Sequence, residues 1–212
     1  MPNINAERIV RNIVVVGASA GGIPALQSLL ACLRKPFPAA LGVVIHRSPT
    51  PPTSWAAMLG KFSKLQVIEP VNGERLVEGC AYVAPADHHM TFHKGFAFLN
   101  RGRKQHHTRP ALDPLFESAA SDYGNNVVGA VLTGGGSDGA EGLRCIWQHG
   151  GLCFVQADAE HPWMPENARA HDHVSASLDI PELADALTKL AVGLELERPD
   201  AAKPYSAASG PQ

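Results

Sequence analysis

The chain has 212 residues, of which 45% are hydrophobic and 18% charged, and this composition favours a single globular domain with a well-buried core. Its 18 basic and 20 acidic residues nearly balance, and no long run of lysine or arginine offers the basic surface that nucleic-acid binding requires. No segment approaches the roughly 18 to 20 consecutive apolar residues that span a bilayer. We therefore expect a cytoplasmic protein that neither binds nucleic acid nor is inserted in a membrane.

The first predicted elements form a β-α-β unit. A β-branched run at 13–16 predicts a strand, a helical pattern follows at 23–33, and a second apolar strand is predicted at 41–45. A helical crossover of this length makes the two strands parallel neighbours. Between residues 65 and 99, short extended segments alternate with turn signals such as Asn72-Gly73, which predicts an antiparallel hairpin excursion.

After this excursion the alternation of helices and strands resumes. The remaining predicted elements are a helix at 110–122, a strand at 126–133, a helix at 139–149, a strand at 151–156, and helices at 164–170 and 180–194. This order predicts an α/β fold with a doubly wound, mostly parallel, Rossmann-like sheet flanked by helices. We expect one domain over residues 1–195, followed by a flexible C-terminal tail over 196–212.

The strongest local motif lies directly after the first predicted strand. Gly17-Ala18-Ser19-Ala20-Gly21 fits the pattern G-x-S-x-G, in which small residues allow a sharp strand-to-helix turn that exposes a nucleophilic serine. Two alternatives stay open, because a glycine-rich turn in this position also binds phosphates in dinucleotide folds, and a serine there can simply cap the helix.

Two further polar residues follow predicted strands. His46 stands at the end of the second strand, and Asp138 follows the strand predicted at 126–133. Taken alone, His46 could be an ordinary surface residue and Asp138 the N-cap of the next helix. Because the carboxyl ends of parallel strands share one sheet edge, however, Ser19, His46 and Asp138 are expected to meet there as a catalytic triad. Their order along the chain differs from that of the α/β-hydrolases.

A glycine run precedes Asp138. Gly134, Gly135 and Gly136 could present backbone N–H groups to the oxyanion that develops during acyl transfer. We therefore take Gly135 and Gly136 as candidate oxyanion or substrate residues.

Several segments, taken together and in order, resemble the catalytic domain of the chemotaxis protein-glutamate methylesterases, the CheB family. The resemblance covers about residues 13–190. The segments are VVVGASAGGIPAL, VVIHRS, AYVAPADHHM, RPALDPLF, VVGAVLTGGGSDGAEGL and VQADAEHPWMPENA.

The resemblance implies a function and a set of catalytic roles. It implies hydrolysis of γ-glutamyl methyl esters on the cytoplasmic helices of chemoreceptors or similar signalling proteins, often with deamidation of receptor glutamines. It places the nucleophile at Ser19, the general base at His46 and the orienting carboxylate at Asp138. It implies no metal and no organic cofactor.

The chain departs from the family pattern in three ways. Family members usually carry an N-terminal receiver domain, whereas about a dozen residues precede the first predicted strand here. We therefore expect no control by phosphorylation in cis, and a separate regulatory protein becomes a candidate partner. Gly135 stands where the family has a methionine, which puts the rigidity of the oxyanion loop in question. The family's Tyr-Gly-Met-Pro segment reads Pro162-Trp163-Met164-Pro165, which makes Met164 a candidate residue of the pocket rim.

Arg109 and five histidines complete the candidate residues. Arg109 matches the arginine of the family's RPxxD segment and could steer an acidic substrate helix or line the cleft, or could be an exposed turn residue. The histidines lack an accompanying ligand set at supporting spacing, so we interpret them as loop residues and predict no metal site. They are His88, His89, His93, His106 and His107.

Two other functions are compatible with parts of the sequence. The GASAGG turn resembles the cofactor turn of short-chain nicotinamide-dependent reductases, for which Arg47 could select the ribose, but no tyrosine has a lysine four residues later. A methylesterase-like domain that has lost its activity could also serve as a docking module in a signalling complex.

Overall fold

The computed structural model describes residues 9–47, 54–170 and 173–196. The predicted C-terminal tail therefore lies, apart from residue 196, outside the described residues. None of the helices in the described segments has the length and apolar character needed to cross a membrane.

The described residues form ten strands, six α-helices and one short 3₁₀ turn at Gly124–Asn126. The strands are β1 (Ile13–Ala18), β2 (Ala40–Ile45), β3 (Gln66–Ile68), β4 (Glu74–Arg75), β5 (Cys80–Val83), β6 (His89–His93), β7 (Phe96–Asn100), β8 (Val127–Val131), β9 (Leu152–Gln156) and β10 (Ala176–Leu178). The helices are α1 (Gly22–Cys32), α2 (Trp55–Gly60), α3 (Leu112–Tyr123), α4 (Ala140–Gln148), α5 (Trp163–Arg169) and α6 (Ile180–Ala191).

Seven strands form one parallel sheet in the order β10-β9-β8-β1-β2-β5-β3. The predicted fold, a mostly parallel sheet flanked by helices, is confirmed, and β1 and β2 are parallel neighbours as expected. Every residue of β1 is buried because helices cover both faces of the sheet. Val14 and Val16 belong to the same apolar cluster as α1 and α6, whereas Val15 packs in the cluster that contains α3 and α4.

The antiparallel excursion is confirmed in part of the predicted stretch. The strands β4, β7 and β6 form a separate three-stranded antiparallel sheet. However, β3 and β5, which lie in the same stretch, extend the parallel sheet beyond β2. The reason is burial, because all four residues of β5 are buried, as is usual for an inner strand of a parallel sheet.

Some short elements were not predicted, among them α2 and β10. The helix α2 has six residues. Its N-cap residue is Ser54, whose hydroxyl accepts a hydrogen bond from the N–H of Ala57 at 3.3 Å. The strand β10 has three half-buried residues at the edge of the sheet. Neither is long enough to show a periodic pattern of apolar residues.

Candidate active site

The ends of β1, β2 and β8 form the floor of a polar site. Ser19 follows β1, and its N–H donates to the carbonyl oxygen of Thr133, beyond the end of β8, at 3.0 Å. His46 follows β2, and its N–H donates to the carbonyl oxygen of Ala18 at 3.1 Å. The parallel hydrogen-bonding register thus continues past the strands and fixes the backbone of both residues.

The structure brings Ser19, His46 and Asp138 into one hydrogen-bonded chain. The Oγ atom of Ser19 lies 3.2 Å from Nδ1 of His46, and Nε2 of His46 lies 2.6 Å from Oδ2 of Asp138. Both distances suit a nucleophile, a general base and the group that orients the base. The imidazole is partly open to solvent, with 17% of its side chain exposed, whereas the Asp138 side chain is 1% exposed.

These contacts assign the tautomer of His46. An ionised Asp138 only accepts hydrogen bonds, so the neutral imidazole carries its proton on Nε2 and accepts the Ser19 hydroxyl proton at Nδ1. Chymotrypsin-type triads use the two nitrogens the other way round. The chemistry is equivalent, because either nitrogen can take a proton while the other donates to the carboxylate.

Asp138 is held by the N-terminus of α3 and not by the helix that follows it. Its Oδ2 accepts the N–H of Leu112 at 2.8 Å, and its Oδ1 accepts the N–H of Asp113 at 3.2 Å. The N-cap residue of α4 is Gly139, which has no side chain with which to cap the helix. The alternative reading of Asp138 as the cap of α4 is therefore wrong, because the carboxylate points toward α3.

The surroundings of Asp138 favour its ionised form. Burial raises the pKa of this carboxyl, but the hydrogen bonds from His46 and from the N–H groups of Leu112 and Asp113 outweigh burial and leave its pKa below the ordinary value. Asp138 therefore stays a carboxylate at neutral pH and can stabilise the imidazolium form of His46.

Asp113 is an important residue of the site that the sequence analysis did not single out. Its Oδ1 accepts the N–H of Gly139 at 3.0 Å and the N–H of Gly142 at 2.8 Å, so it caps α4. Because Asp138 caps α3, the two helices exchange capping carboxylates. The sequence feature that could have identified Asp113 is its place as the aspartate of the RPxxD segment, in the first turn of a predicted helix.

The glycine loop has one member that is fully engaged. The N–H of Gly134 donates to the carbonyl oxygen of His161 at 2.8 Å, and its own carbonyl oxygen accepts the N–H of Met164 at 3.0 Å. Gly134 therefore cannot donate to an oxyanion. Within the described residues, the N–H groups of Gly135, Gly136 and Ala20 have no protein acceptor, so they are free to do so.

Gly134 is also required sterically. A Cβ atom at this position would lie 2.8 Å from Cβ of Ser19 and would overlap with Sδ of Met164. Met164 is 1% exposed and packs beneath the loop, so it supports the loop and does not form an open pocket rim. At Gly135, in contrast, a Cβ atom would have no neighbour within 4 Å.

Arg109 and Arg47 are both used within the protein. Arg109 donates from Nε and Nη2 to Oδ1 of Asp87, and from Nη1 to the carbonyl oxygens of Arg101 and Gly102. These bonds support a structural role for Arg109 over contact with a substrate. The side chain of Arg47 is 1% exposed and donates to Glu69 and to the carbonyl oxygen of Ala84, so it is not available to select a ribose.

One group of side chains in the described residues has the composition of a metal site. Potential ligand atoms of His106, Asp113 and Asp138 lie within 4.8 Å of one another. We assign no metal there, because each carboxylate oxygen of the two aspartates already has an N–H partner from the backbone, from His46 or from His106. His89 does not belong to this group: it is buried, and its Nε2 contacts the carbonyl oxygen of Arg103.

The model of the family described as CheB methylesterase matches residues 14–187. A crystal structure of the CheB methylesterase catalytic domain of Thermotoga maritima superposes with a TM-score of 0.80 at 31% identity, over 84% of this chain and 98% of that chain.

Named relatives are similar in sequence. A putative protein-glutamate methylesterase/protein-glutamine glutaminase of Leptospira interrogans is 33% identical over 84% of this chain and 93% of its own length. Two proteins named protein-glutamate methylesterase/protein-glutamine glutaminase 2 match over smaller shares of their own lengths. The Shewanella sp. (strain MR-4) protein is 34% identical over 92% of this chain and 57% of its own length. The Pseudomonas aeruginosa protein is 41% identical over 74% of this chain and 45% of its own length.

Alanine substitutions at the neighbouring residues Gly134 and Gly135 should have opposite effects on the stability of the protein. Gly134→Ala pushes against Ser19 and Met164, and we expect a loss of about 1–3 kcal/mol in the free energy of unfolding. Displacement of the serine should also lower the rate of ester hydrolysis by about 10- to 100-fold. Gly135→Ala is the matched control and should keep or raise stability by up to about 1 kcal/mol. Chemical denaturation and ester hydrolysis rates measure both effects, and equal behaviour of the two variants would contradict the packing described.

Replacement of Asp138 by asparagine should impair catalysis more than folding. If the amide NH2 faces His46, it donates to Nε2, which moves the imidazole proton to Nδ1 and removes the acceptor for Ser19. If the amide oxygen faces His46, the NH2 opposes the N–H of Asp113. In either orientation the negative charge that stabilises the imidazolium is lost. We expect kcat for ester hydrolysis to fall by about 10³- to 10⁴-fold. The control is Asp185→Asn on the exposed face of α6, where the same change should leave kcat unaltered. A wild-type kcat for Asp138→Asn would show that the reaction does not need the charge of Asp138.

Proposed function

The chain belongs to the CheB methylesterase family and is a carboxylic ester hydrolase. We propose that it hydrolyses γ-glutamyl methyl esters and that Ser19, His46 and Asp138 are its catalytic triad. The observation that carries the proposal is the hydrogen-bonded path from Oγ of Ser19 through His46 to the buried carboxylate of Asp138. Ester hydrolysis by acyl transfer needs a nucleophile, a base and a group that orients the base, and this path supplies all three.

The first half of the reaction forms an acyl-enzyme. Oγ of Ser19 attacks the ester carbonyl carbon while Nδ1 of His46 takes the hydroxyl proton, and Asp138 stabilises the imidazolium. The tetrahedral intermediate collapses as its bond to the methoxy oxygen breaks. His46 returns the proton to that oxygen, and methanol leaves.

The second half reverses these proton movements. Water attacks the acyl carbon, His46 takes one water proton, and the ester bond to Ser19 breaks as the serine regains its proton. The products are a free glutamate side chain and the resting enzyme. A glutamine substrate would follow the same path with ammonia as the leaving group, which fits the glutaminase activity in the names of the relatives.

Backbone N–H groups near Ser19 can stabilise the intermediate. The N–H of Ala20 directly follows the nucleophile, and those of Gly135 and Gly136 lie in the loop that packs against Ser19 through Gly134. Loss of one such donor in other acyl-transfer enzymes costs about 10²- to 10³-fold in rate. We assign the oxyanion site to this group of donors.

We propose that the substrates are methylated cytoplasmic helices of chemoreceptors or related signalling proteins, which places the enzyme in the cytoplasm. The assignment follows from the family and from the methylesterase names of the relatives. We further propose that residues 1–195 act as one catalytic domain and that a separate protein regulates its activity.

Methanol release from methylated receptor membranes tests the function. The wild-type protein should release methanol, and Ser19→Ala should lower the rate by about 10³-fold or more because the acyl-enzyme cannot form. The control is Ser28→Ala, at an exposed position of α1, the helix that follows Ser19. If Ser19→Ala released methanol as fast as the wild type, the nucleophile assignment would be wrong. If none of the three proteins released methanol, the docking-module alternative would be favoured.

A further inference from the structure

A tight turn next to the triad has an unusual backbone. Gln105 and Thr108 exchange two backbone hydrogen bonds, of 3.2 and 2.8 Å, across His106 and His107. Both histidines have positive φ, 48° for His106 and 63° for His107. Two positive φ values in the centre of such a turn favour glycine or asparagine, and other residues persist there when the surroundings hold them.

The contact of His106 accounts for this conformation. Its Nε2 atom lies 2.9 Å from Oδ2 of Asp113 and 3.8 Å from Oδ1 of Asp138. The turn therefore directs one imidazole onto the two carboxylates that hold α3, α4 and His46 in place. His107, the other central residue, is exposed and makes no such contact.

The two carboxylates are close neighbours in a buried setting. The backbone N–H of Asp113 donates to Asp138, and the side chains of Asp113 and Asp138 are 5% and 1% exposed. Two carboxylates so placed do not both ionise readily. Burial, and then the charge of Asp138, raise the pKa of Asp113, whereas the pKa of Asp138 is lowered.

We propose that His106 and Asp113 form a second histidine–carboxylate pair that retains one proton between them. The pair is then neutral, and Asp138 is the anion that faces His46. Both are positioning residues, because they act through Asp138 and do not touch the reacting atoms. The inference rests on the proposed function, since it concerns the proton affinity of the general base in that reaction.

The sign of the effect follows from the charges. His106 lowers the pKa of Asp113 through its hydrogen bond and its charge, so this pKa rises further when His106 is removed. Above that pKa, Asp113 without His106 is an added negative charge beside Asp138, whereas the pair with its retained proton is neutral. Added negative charge favours the protonated form of His46, which cannot act as a base. The pair therefore keeps His46 free to accept the serine proton at lower pH than it otherwise could.

Other charged or titratable groups also affect this cluster, and they remain unchanged in the variants below. Glu117 on α3 interacts with Asp113 and Asp138, and His89 on β6 interacts with Asp138. Glu141 and Arg144 on α4 act on Glu117, and Arg109 before α3 acts on His89.

The pH profile of kcat/KM tests the proposal, with methanol release as the assay over about pH 5 to 9. In His106→Ala, the midpoint of the acid limb should move up by about 0.5 to 1 pH unit. The double variant His106→Ala/Asp113→Asn should return to the wild-type midpoint, because asparagine cannot ionise and its Oδ1 still caps α4. Asp113→Asn alone should also keep the wild-type midpoint.

The matched control is His107→Ala, which changes the other residue of the same turn and should leave the profile unaltered. A purely structural role for His106 would lower kcat/KM without moving the midpoint, and Asp113→Asn would not restore the loss. An unshifted His106→Ala midpoint, or a shift that the double variant retains, would overturn the proposal.

The proposal can fail separately from the function. If Ser19→Ala abolishes methanol release while the His106→Ala profile matches the wild type, the triad stands and the second pair does not. Titration of the His46 ring, followed by NMR in the Ser19→Ala background, gives the same comparison without turnover. There, His106→Ala should raise the pH at which the ring loses its proton, and an unchanged titration would overturn the proposal.

Discussion

The site depends on one buried carboxylate that two parts of the protein share. Asp138 accepts hydrogen bonds from the first N–H groups of α3 and also from His46. The N-terminus of a helix carries partial positive charge and unpaired donors, so it can compensate the cost of burying a carboxylate. The same contacts that stabilise α3 thus maintain the negative charge that faces His46.

Strand register supplies the rest of the geometry. In a parallel sheet, neighbouring strands end at the same edge, and the pairing of Ala18 with Ile45 places the next residues, Ser19 and His46, side by side. The loop after β8 then adds Gly134 from a third strand end, packed against the serine. Rigid elements therefore position all these groups. Such support is needed because the distances in a catalytic site must be held to within about half an ångström.

Sequence patterns predicted the long elements and the three residues at the sheet edge, because periodicity and strand ends are local properties. The bounds of the long elements differ from prediction by at most three residues. The pairing of β3 and β5 could not be predicted, since it depends on burial between distant segments. For the same reason the capping role of Asp113 was missed, and the contacts of Arg109 and Met164 could not be predicted: each depends on tertiary contacts and not on neighbours in sequence.

The exchange of carboxylates between α3 and α4 couples catalysis to the docking of these helices. Asp113 lies on α3 and caps α4, while Asp138 precedes α4 and caps α3, so separation of the helices breaks both sets of bonds together. A local opening at this contact would release the orienting carboxylate from the helix that holds it while leaving the strands paired. Weakening of this helix contact would therefore lower activity even if the nucleophile and the sheet stayed in place.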